Sequence, residues 1–296
     1  MKKIIFSICI DIPEHLLDET GYTVHAARNT HRNERAIETK DKLAAYKNDL
    51  IWHQDRYAGY CDADYKCYGF DKQFIDYYRY CKGVYKNLPM YHIINYYKHH
   101  LMHKLSYEYD AVFYMDIDVY PRTQESIFDH HDMNVLWAKT NNDLAEWGKD
   151  FDLSTYNRCD RNPATKYWNC YALLMEDFLD PENDVINTGT VIGGSEAIQS
   201  MGWNDEFEPM IAKMKALQED DFSMFPQALR DRFGFDNEAM FSYLIQSKEL
   251  SYQTLEDKWH GRLPDEGIDP SIWLVHAINK KFEFFFPHIK YTGRTL

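Results

Sequence analysis

Two aspartates close the run "YDAVFYMDIDVYP", residues 109–121. Asp116 and Asp118 follow five apolar or aromatic residues, Ala111 to Met115. Carboxylates at the mouth of a buried strand are costly unless something positive stands beside them. Side chains alternate along a strand, so this spacing sends Asp116 and Asp118 to the same side. Both can then approach one hard cation, or one ligates directly and the other works through water or a ribose hydroxyl. Oxygen ligands suit Mg²⁺ or Mn²⁺, ions that keep positions open for phosphate oxygens. A diphosphate leaving group needs such an ion, because negative charge grows on it as its bond breaks. Asp-x-Asp also occurs by chance on solvated loops; its place at the end of an apolar strand favours chemistry.

The elements around the pair read as α/β. "KIIFSICI", residues 3–10, is short, apolar and β-branched, as a buried strand is. Residues 36–58 carry a helical stripe at Leu43, Tyr46, Leu50, Gln54 and Tyr57. "YKCYG", 65–69, fits a second short strand. Residues 89–105 form the clearest helix, apolar at 90, 93, 94, 97, 101 and 105, with Pro89 suited to its first turn. Helix then apolar strand, at 111–115, implies a strand covered on both faces. "DVINTGTVIGG", 184–194, reads as a strand, 205–217 as an amphipathic helix, and a further helix starts at a capping Asp236. "SIWLVHAI", 271–278, is a late strand. Ligands in open α/β sheets gather beyond the carboxyl ends of the strands, which is where the aspartates stand.

The 296 residues carry a net charge of −14, which opposes non-specific binding to nucleic acid. No stretch approaches the ~18 apolar residues of a membrane span. "MKKIIFSICIDIPEH" is interrupted by Asp11 and lacks a small-residue cleavage site, so it reads as the first strand of a cytoplasmic protein. Six cysteines without CxxC spacing read as free thiols of a reducing compartment. His99 and His103 share a helix face but lack the glutamate of HExxH, so they and His130 and His131 read as solvated. Lys98, Lys104 and Arg79 read as surface charges, with help in donor binding as the alternative. No repeat or linker divides the chain.

"YDAVFYMDIDVYPRTQESIF" resembles the metal-binding strand of GT-A glycosyltransferases, most of all the group around family 8 and related viral and bacterial sugar transferases. "VINTGTVIGG" is similar to the Asn-x-Gly strand of that group, "FDNEAMFSYLI" to its Asp-Gln-Asp helix start, and "WLVHAINKKFEFF" to its closing His-x-x-x-x-Lys element; "KWHGRL" resembles the segment before that element. The resemblance spans residues 1–286 or so and is loose over 12–85. It implies a GT-A (nucleotide-diphospho-sugar transferase) fold, with a Rossmann-like mixed central sheet flanked by helices. It implies one catalytic domain over 1–296, with a nucleotide-binding half at 1–120 and an acceptor and donor-sugar half at 121–296. The donor would be a UDP- or GDP-sugar, the acceptor a hydroxyl on a glycan, and the cofactor Mn²⁺ or Mg²⁺.

The resemblance also implies roles. His276 joins Asp116 and Asp118 on the metal. Lys280, or Lys281 beside it, faces the diphosphate. Asn187 and Gly189 line the donor sugar; an Asn amide can hold a sugar hydroxyl and Gly lets a ligand near the backbone. Asp236 and Glu238 orient the sugar, although both would serve equally as helix-start residues. Ser7 and Asp11 can meet the base or ribose. The likeness to family 8 implies retention; in an inverting enzyme Asp236 or Glu238 would be the base. Three departures stand out. Asn237 replaces the middle Gln, "HAINKKFEF" has no glycine between its His and Lys, and no Pro-Trp follows. Two other readings compete: a haloacid-dehalogenase-type phosphatase, which places Asp-x-Asp nearer the N-terminus, and a non-catalytic carbohydrate-binding protein, suggested by 16% aromatic content. Residues 141–183 are assigned to the acceptor side.

Overall fold

The apolar N-terminal run becomes strand β1 (Lys3–Ile8), buried from Ile4 onward. The computed structural model describes residues 1–13, 32–141, 163–219, 233–262, 269–277 and 280–287. After β1 come α1 (Arg32–Tyr60), β2 (Asp64–Tyr68), α2 (Lys72–Val84), α3 (Met90–Leu105) and β3 (Ala111–Met115). There follow β4 (Val119–Pro121), α4 (Ile127–His130), β5 (Leu136–Thr140), α5 (Pro163–Glu176), β6 (Ile186–Gly194) and α6 (Ser195–Met201). The described α-helices and strands end with α7 (Trp203–Glu219), α8 (Asn237–Ser247), β7 (Tyr252–Thr254), β8 (Gly261–Arg262) and β9 (Leu274–His276). Of the stretch assigned to the acceptor side, residues 142–162 lie outside the described residues.

Among the described residues, six strands pair in the order β2-β1-β3-β6-β5-β7. β1 runs parallel to β2 and β3, β6 antiparallel to β3 and β5, and β5 parallel to β7. The result is the mixed, Rossmann-like α/β sheet that the sequence predicts. Ile4, Phe6, Val112 and Tyr114 pack on one face with residues of α2, α3, α5, α7 and α8. Ile5, Ala111, Phe113 and Met115 pack on the other with Tyr57 of α1 and Trp259. Two covered faces explain why β3 has no polar positions. Parallel pairing of Phe6 opposite Tyr114 sets the carboxyl ends of β1 and β3 at one edge. That edge carries the residues that follow each strand, Asp11 and Asp116.

A second sheet, β4-β9-β8, sits at the same edge. β4 pairs antiparallel with β9, Val119 opposite His276. The late apolar run 271–278 therefore joins the segment after the aspartates, not the main sheet.

Helix α3 is buried more widely than its apolar stripe requires. Lys98, His99 and His103 are all buried, which corrects the expectation that they are solvated. The physical reason is position: α3 packs against β3 on one side and α7 and α8 on another. His99 lies against Trp203 and Phe241, ring centroids 4.2 and 5.1 Å away, and Asn237 Nδ2 donates to its Nε2 at 3.1 Å. His131 is half-buried with Nδ1 on the Ile127 carbonyl, whereas His130, Lys104 and Arg79 are exposed. Helix α2 is capped by Asp71, whose carboxylate accepts from Phe74 N at 2.9 Å.

Five of the cysteines, 9, 61, 67, 81 and 170, are free thiols, and Cys159 lies outside the described residues. No helix among the described residues is long and apolar enough to cross a membrane.

Burial holds His99 well below the ordinary imidazole range, with Lys98 next to it adding to the effect, and burial lowers His100, His103 and His131 as well. A histidine depressed in the fold stays neutral while the unfolded chain takes up a proton near pH ~6.5. Its contribution is complete above that pH and is lost as the pH falls. Urea denaturation should therefore show a clear fall in midpoint from pH 7.5 to pH 5.5, and His99→Gln should flatten it. An unchanged midpoint would contradict the burial of these rings.

Candidate active site and metal centre

β3 ends at Met115, and Asp116 to Asp118 form a turn into β4. The two aspartates are thus not both on a strand, as their spacing predicts. They converge because the turn folds them together: Val119 N donates to Asp116 O at 2.9 Å. Asp116 extends the ladder to β6, its N–H donating to Gly189 O at 2.8 Å. Asp118 is tied to β9, its carbonyl accepting from Ala277 N at 2.9 Å. These two ties hold the pair between the main sheet and the small one.

The turn is braced from inside. Gln54, fully buried on α1, donates its amide to the carbonyls of Asp116 at 3.0 Å and Val119 at 2.9 Å, and weakly to Ile117 at 3.4 Å. Gln54 Oε1 accepts from Tyr65 OH at 2.9 Å, and Tyr65 OH shares a 2.8 Å hydrogen bond with Ser7 Oγ. Ser7 is itself buried. Its hydroxyl is a strut of the motif, and a nucleotide could meet it only by displacing Tyr65. Asp11 is exposed beyond β1.

The side chains converge on one point. His276 Nε2 lies 3.4 Å from Asp118 Oδ2 and 3.6 Å from Asp116 Oδ2. One ligand atom from each residue lies within 4.8 Å of the others. On Asp116, the other oxygen is occupied: Tyr114 OH donates to Oδ1, and Lys98 Nζ stands 3.9 Å from it. Tyr114 thereby turns Oδ2 toward His276. Lys98 also donates to Thr188 O at 3.0 Å and lies over the Tyr114 ring.

Asp118 is fully enclosed. Burial raises its pKa, but Lys280 and His276 outweigh it and hold the carboxyl well below the usual carboxylate range. Lys280 Nζ pairs directly with Asp118 Oδ2. The backbone at Lys280 is left-handed, φ 54°, and its N–H donates to Ala277 O at 2.8 Å.

The donor set fits a hard divalent ion. It offers two carboxylate oxygens and one imidazole nitrogen, on a turn that leaves Asp116 partly exposed. Room has been made for the imidazole in the strand beside it. A Cβ on Gly189 would stand 2.5 Å from His276 Cε1 and 2.9 Å from Nδ1, closer than atoms tolerate. Glycine at this place in "NTG" admits the ring. Behind it, His276 Nδ1 and His260 Nε2 share a hydrogen bond of 3.1 Å, and His260 Nδ1 shares another with Thr190 Oγ1. His260, in the segment "KWHGRL", carries no role in the sequence reading.

Next to the acidic turn lies a buried polar network. Asn187 Oδ1 accepts from Gly189 N at 2.9 Å. Glu238 Oε1 accepts from Thr188 N at 2.7 Å, and Oε2 pairs with Lys166. Asn237 Nδ2 donates to Thr188 Oγ1 at 2.8 Å. Asp236 caps α8, accepting from Glu238 N at 2.7 Å and Ala239 N at 3.4 Å. So Asn187, Gly189, Glu238 and Asn237 meet around one stretch of β6, with Asp236 at the foot of the helix. Lys281 lies half-buried beside Lys280. Lys98 and Lys166, which charge patterning assigns to the surface or leaves aside, are the cations the network needs.

No protein-family model matches the chain, and no curated protein matches it by sequence. In structure the chain is similar to solved glycosyltransferases. One is involved in glycosylating the major capsid of PBCV-1: 10% identity over 97% of this chain and 100% of that one, TM-score 0.39. Another is mouse xyloside xylosyltransferase 1: 11% identity over 94% and 98%, TM-score 0.45. A third is the galactosyltransferase LgtC with donor and acceptor sugar analogues: 14% identity over 93% and 86%, TM-score 0.36.

Two substitutions test this geometry. Glu238→Ala strips Lys166 of a buried counter-charge and Thr188 N of its acceptor, and should cost about 3 kcal/mol in urea denaturation. A loss within about 0.5 kcal/mol, as at an ordinary surface position, would contradict the buried pair. Gly189→Ala should leave the chain folded by circular dichroism yet weaken Mn²⁺ binding roughly tenfold or more in calorimetry, because the methyl displaces His276. Wild-type affinity would show that the ring does not need that space.

Proposed function

We propose that the protein is a metal-dependent glycosyltransferase that moves a sugar from a UDP- or GDP-sugar to a hydroxyl acceptor on a glycan. One observation carries this reading: an imidazole from β9 meets the two carboxylates of the β3–β4 turn, ligand atoms within 4.8 Å. A bound Mn²⁺ or Mg²⁺ would supply there a Lewis acid for the charge that grows on a departing diphosphate.

The chain's own residues divide the remaining work. Asp116, Asp118 and His276 hold the ion. Lys280 keeps Asp118 ionised and would be the lysine that offsets charge on the diphosphate. Lys281 is the alternative at this position. Asp11, exposed at the carboxyl edge of the sheet, faces the nucleoside, and Ser7 supports that edge from within through Tyr65. Asn187 and Gly189 border the donor sugar, and Asp236 and Glu238 orient its hydroxyls through α8. Residues 1–120 then form the nucleotide half and 121–296 the donor-sugar and acceptor half of one catalytic domain.

Retention is the better stereochemical reading. A base must have a free oxygen for the acceptor proton. Glu238 uses one oxygen on Thr188 and the other on Lys166, so it is not poised as the base that inversion requires. Asp236 is buried at the start of α8, with Oδ1 committed to two backbone N–H groups.

A thermal-shift panel of UDP- and GDP-sugars, with and without Mn²⁺, tests the reading. One donor should raise the melting temperature with Mn²⁺ only, increasingly with concentration. Asp118→Ala should abolish both that shift and metal-dependent nucleotide release. Full release by the variant, or a shift independent of metal, would refute the metal assignment.

A further inference from the structure

We infer that His260 and Thr190 form a proton-fixing relay that makes His276 a metal ligand through Nε2. The inference rests on the metal reading above and adds to it two positioning residues. An imidazole can ligate through Nε2 only when that nitrogen is bare, so its proton has to sit on Nδ1. An Nδ1–H buried beside Gly189 needs an acceptor, or desolvation weakens the arrangement. His276 Nδ1 has one in His260 Nε2, at 3.1 Å. His260 can accept there only if its own proton is on Nδ1. That nitrogen has its acceptor too, the Thr190 hydroxyl oxygen. The protons then point one way along the chain: His276 Nδ1–H to His260 Nε2, and His260 Nδ1–H to Thr190 Oγ1. The free lone pair of His276 faces Asp116 and Asp118.

Burial reinforces the relay. His260, His276 and Thr190 are 4%, 6% and 0% exposed, so bulk water does not substitute for a missing partner. The two rings stand nearly perpendicular, 83° apart with centroids 5.0 Å away, which aims one nitrogen at the other edge-on. Thr190 follows Gly189 by one residue on β6. A single short stretch of strand thus supplies both the space for His276 and the end of its relay. Partners of this kind raise ligand basicity and fix ring orientation, and their loss typically weakens metal binding by roughly 10- to 100-fold.

Mn²⁺ binding by isothermal titration calorimetry, in the absence of any sugar nucleotide, tests the relay in four full-length proteins. His260→Phe removes the acceptor and should weaken binding roughly 10- to 100-fold. His260→Gln, whose amide carbonyl can still accept, should recover most of that loss. Asp118→Ala reports on the metal site itself. If Asp118→Ala loses binding while His260→Phe binds like wild type, the metal site stands and the relay is overturned. If wild type and Asp118→Ala bind alike, the metal reading falls and the relay with it. A measurement on the wild type guards against a variant that fails to fold. Long-range ¹H–¹⁵N spectra of the Mg²⁺-loaded protein should show both His260 and His276 as Nδ1–H tautomers. An Nε2–H tautomer at His260 would overturn the proposal.

Discussion

Two carboxylates forced together at one half-buried turn are the constraint from which the rest of the site follows. In a chain of net charge −14, such a pair has to be compensated locally. The fold answers with Lys280 directly on Asp118 and Lys98 near Asp116, and it sets the His276 ring between the two oxygens as a third ligand for a cation. Lys98 has a second task in holding the backbone, since its ammonium also donates to the carbonyl of Thr188. Charge balance and geometry thus meet in the Lys98 side chain.

The scaffold is rigid where the chemistry needs it. Gln54 reaches from α1 to the carbonyls on both sides of the turn, so a helix early in the chain sets the path of a loop some sixty residues on. The small β4-β9-β8 sheet has an equally specific purpose. Pairing Val119 with His276 delivers a late imidazole to the aspartates within one residue of register. Gly189 and His260 hold that imidazole on two sides. Buried polar groups on this scale are stabilising only when each is satisfied, and the hydrogen bonds around Thr188, Asn237, Glu238 and Lys166 meet that condition.

Much of this was legible in the sequence, for physical reasons that differ by element. β3 announces itself because both faces are covered and its apolar run is unbroken, β1 because only Ser7 interrupts its run, and β6 through Ile186, Val191 and Ile192 among threonines and glycines. α3 and α7 show their stripe because one face is apolar. The stripe of α1 even included Gln54, though as a core position and not as a clamp. Helix α2 was missed, although Phe74, Tyr77 and Cys81 after Asp71 hold the signal: a cap and an apolar spacing of three and four. β4, β5, β7 and β8, of two to five residues, are too short to show a period.

At the candidate site, the structure brings the acidic pair and His276 together by a different route from the one the sequence suggests. Strand alternation suggested that the aspartates share a side; a turn and its clamps bring them together. The buried state of Lys98, His99 and His103 could not be read from α3 alone, because it depends on α7 and α8 packing over a second face. His260 had no signal in its own neighbourhood. Its meaning appears only once β9 and β6 bring His276 and Thr190 to its two nitrogens.

Crystals grown with Mn²⁺ and examined by anomalous diffraction would test the central claim most directly. The account predicts one strong manganese peak within coordination distance of Asp116, Asp118 and His276 Nε2, with Lys280 swung off Asp118. A peak elsewhere, or an ion held by carboxylates while the His276 ring turns away, would contradict it.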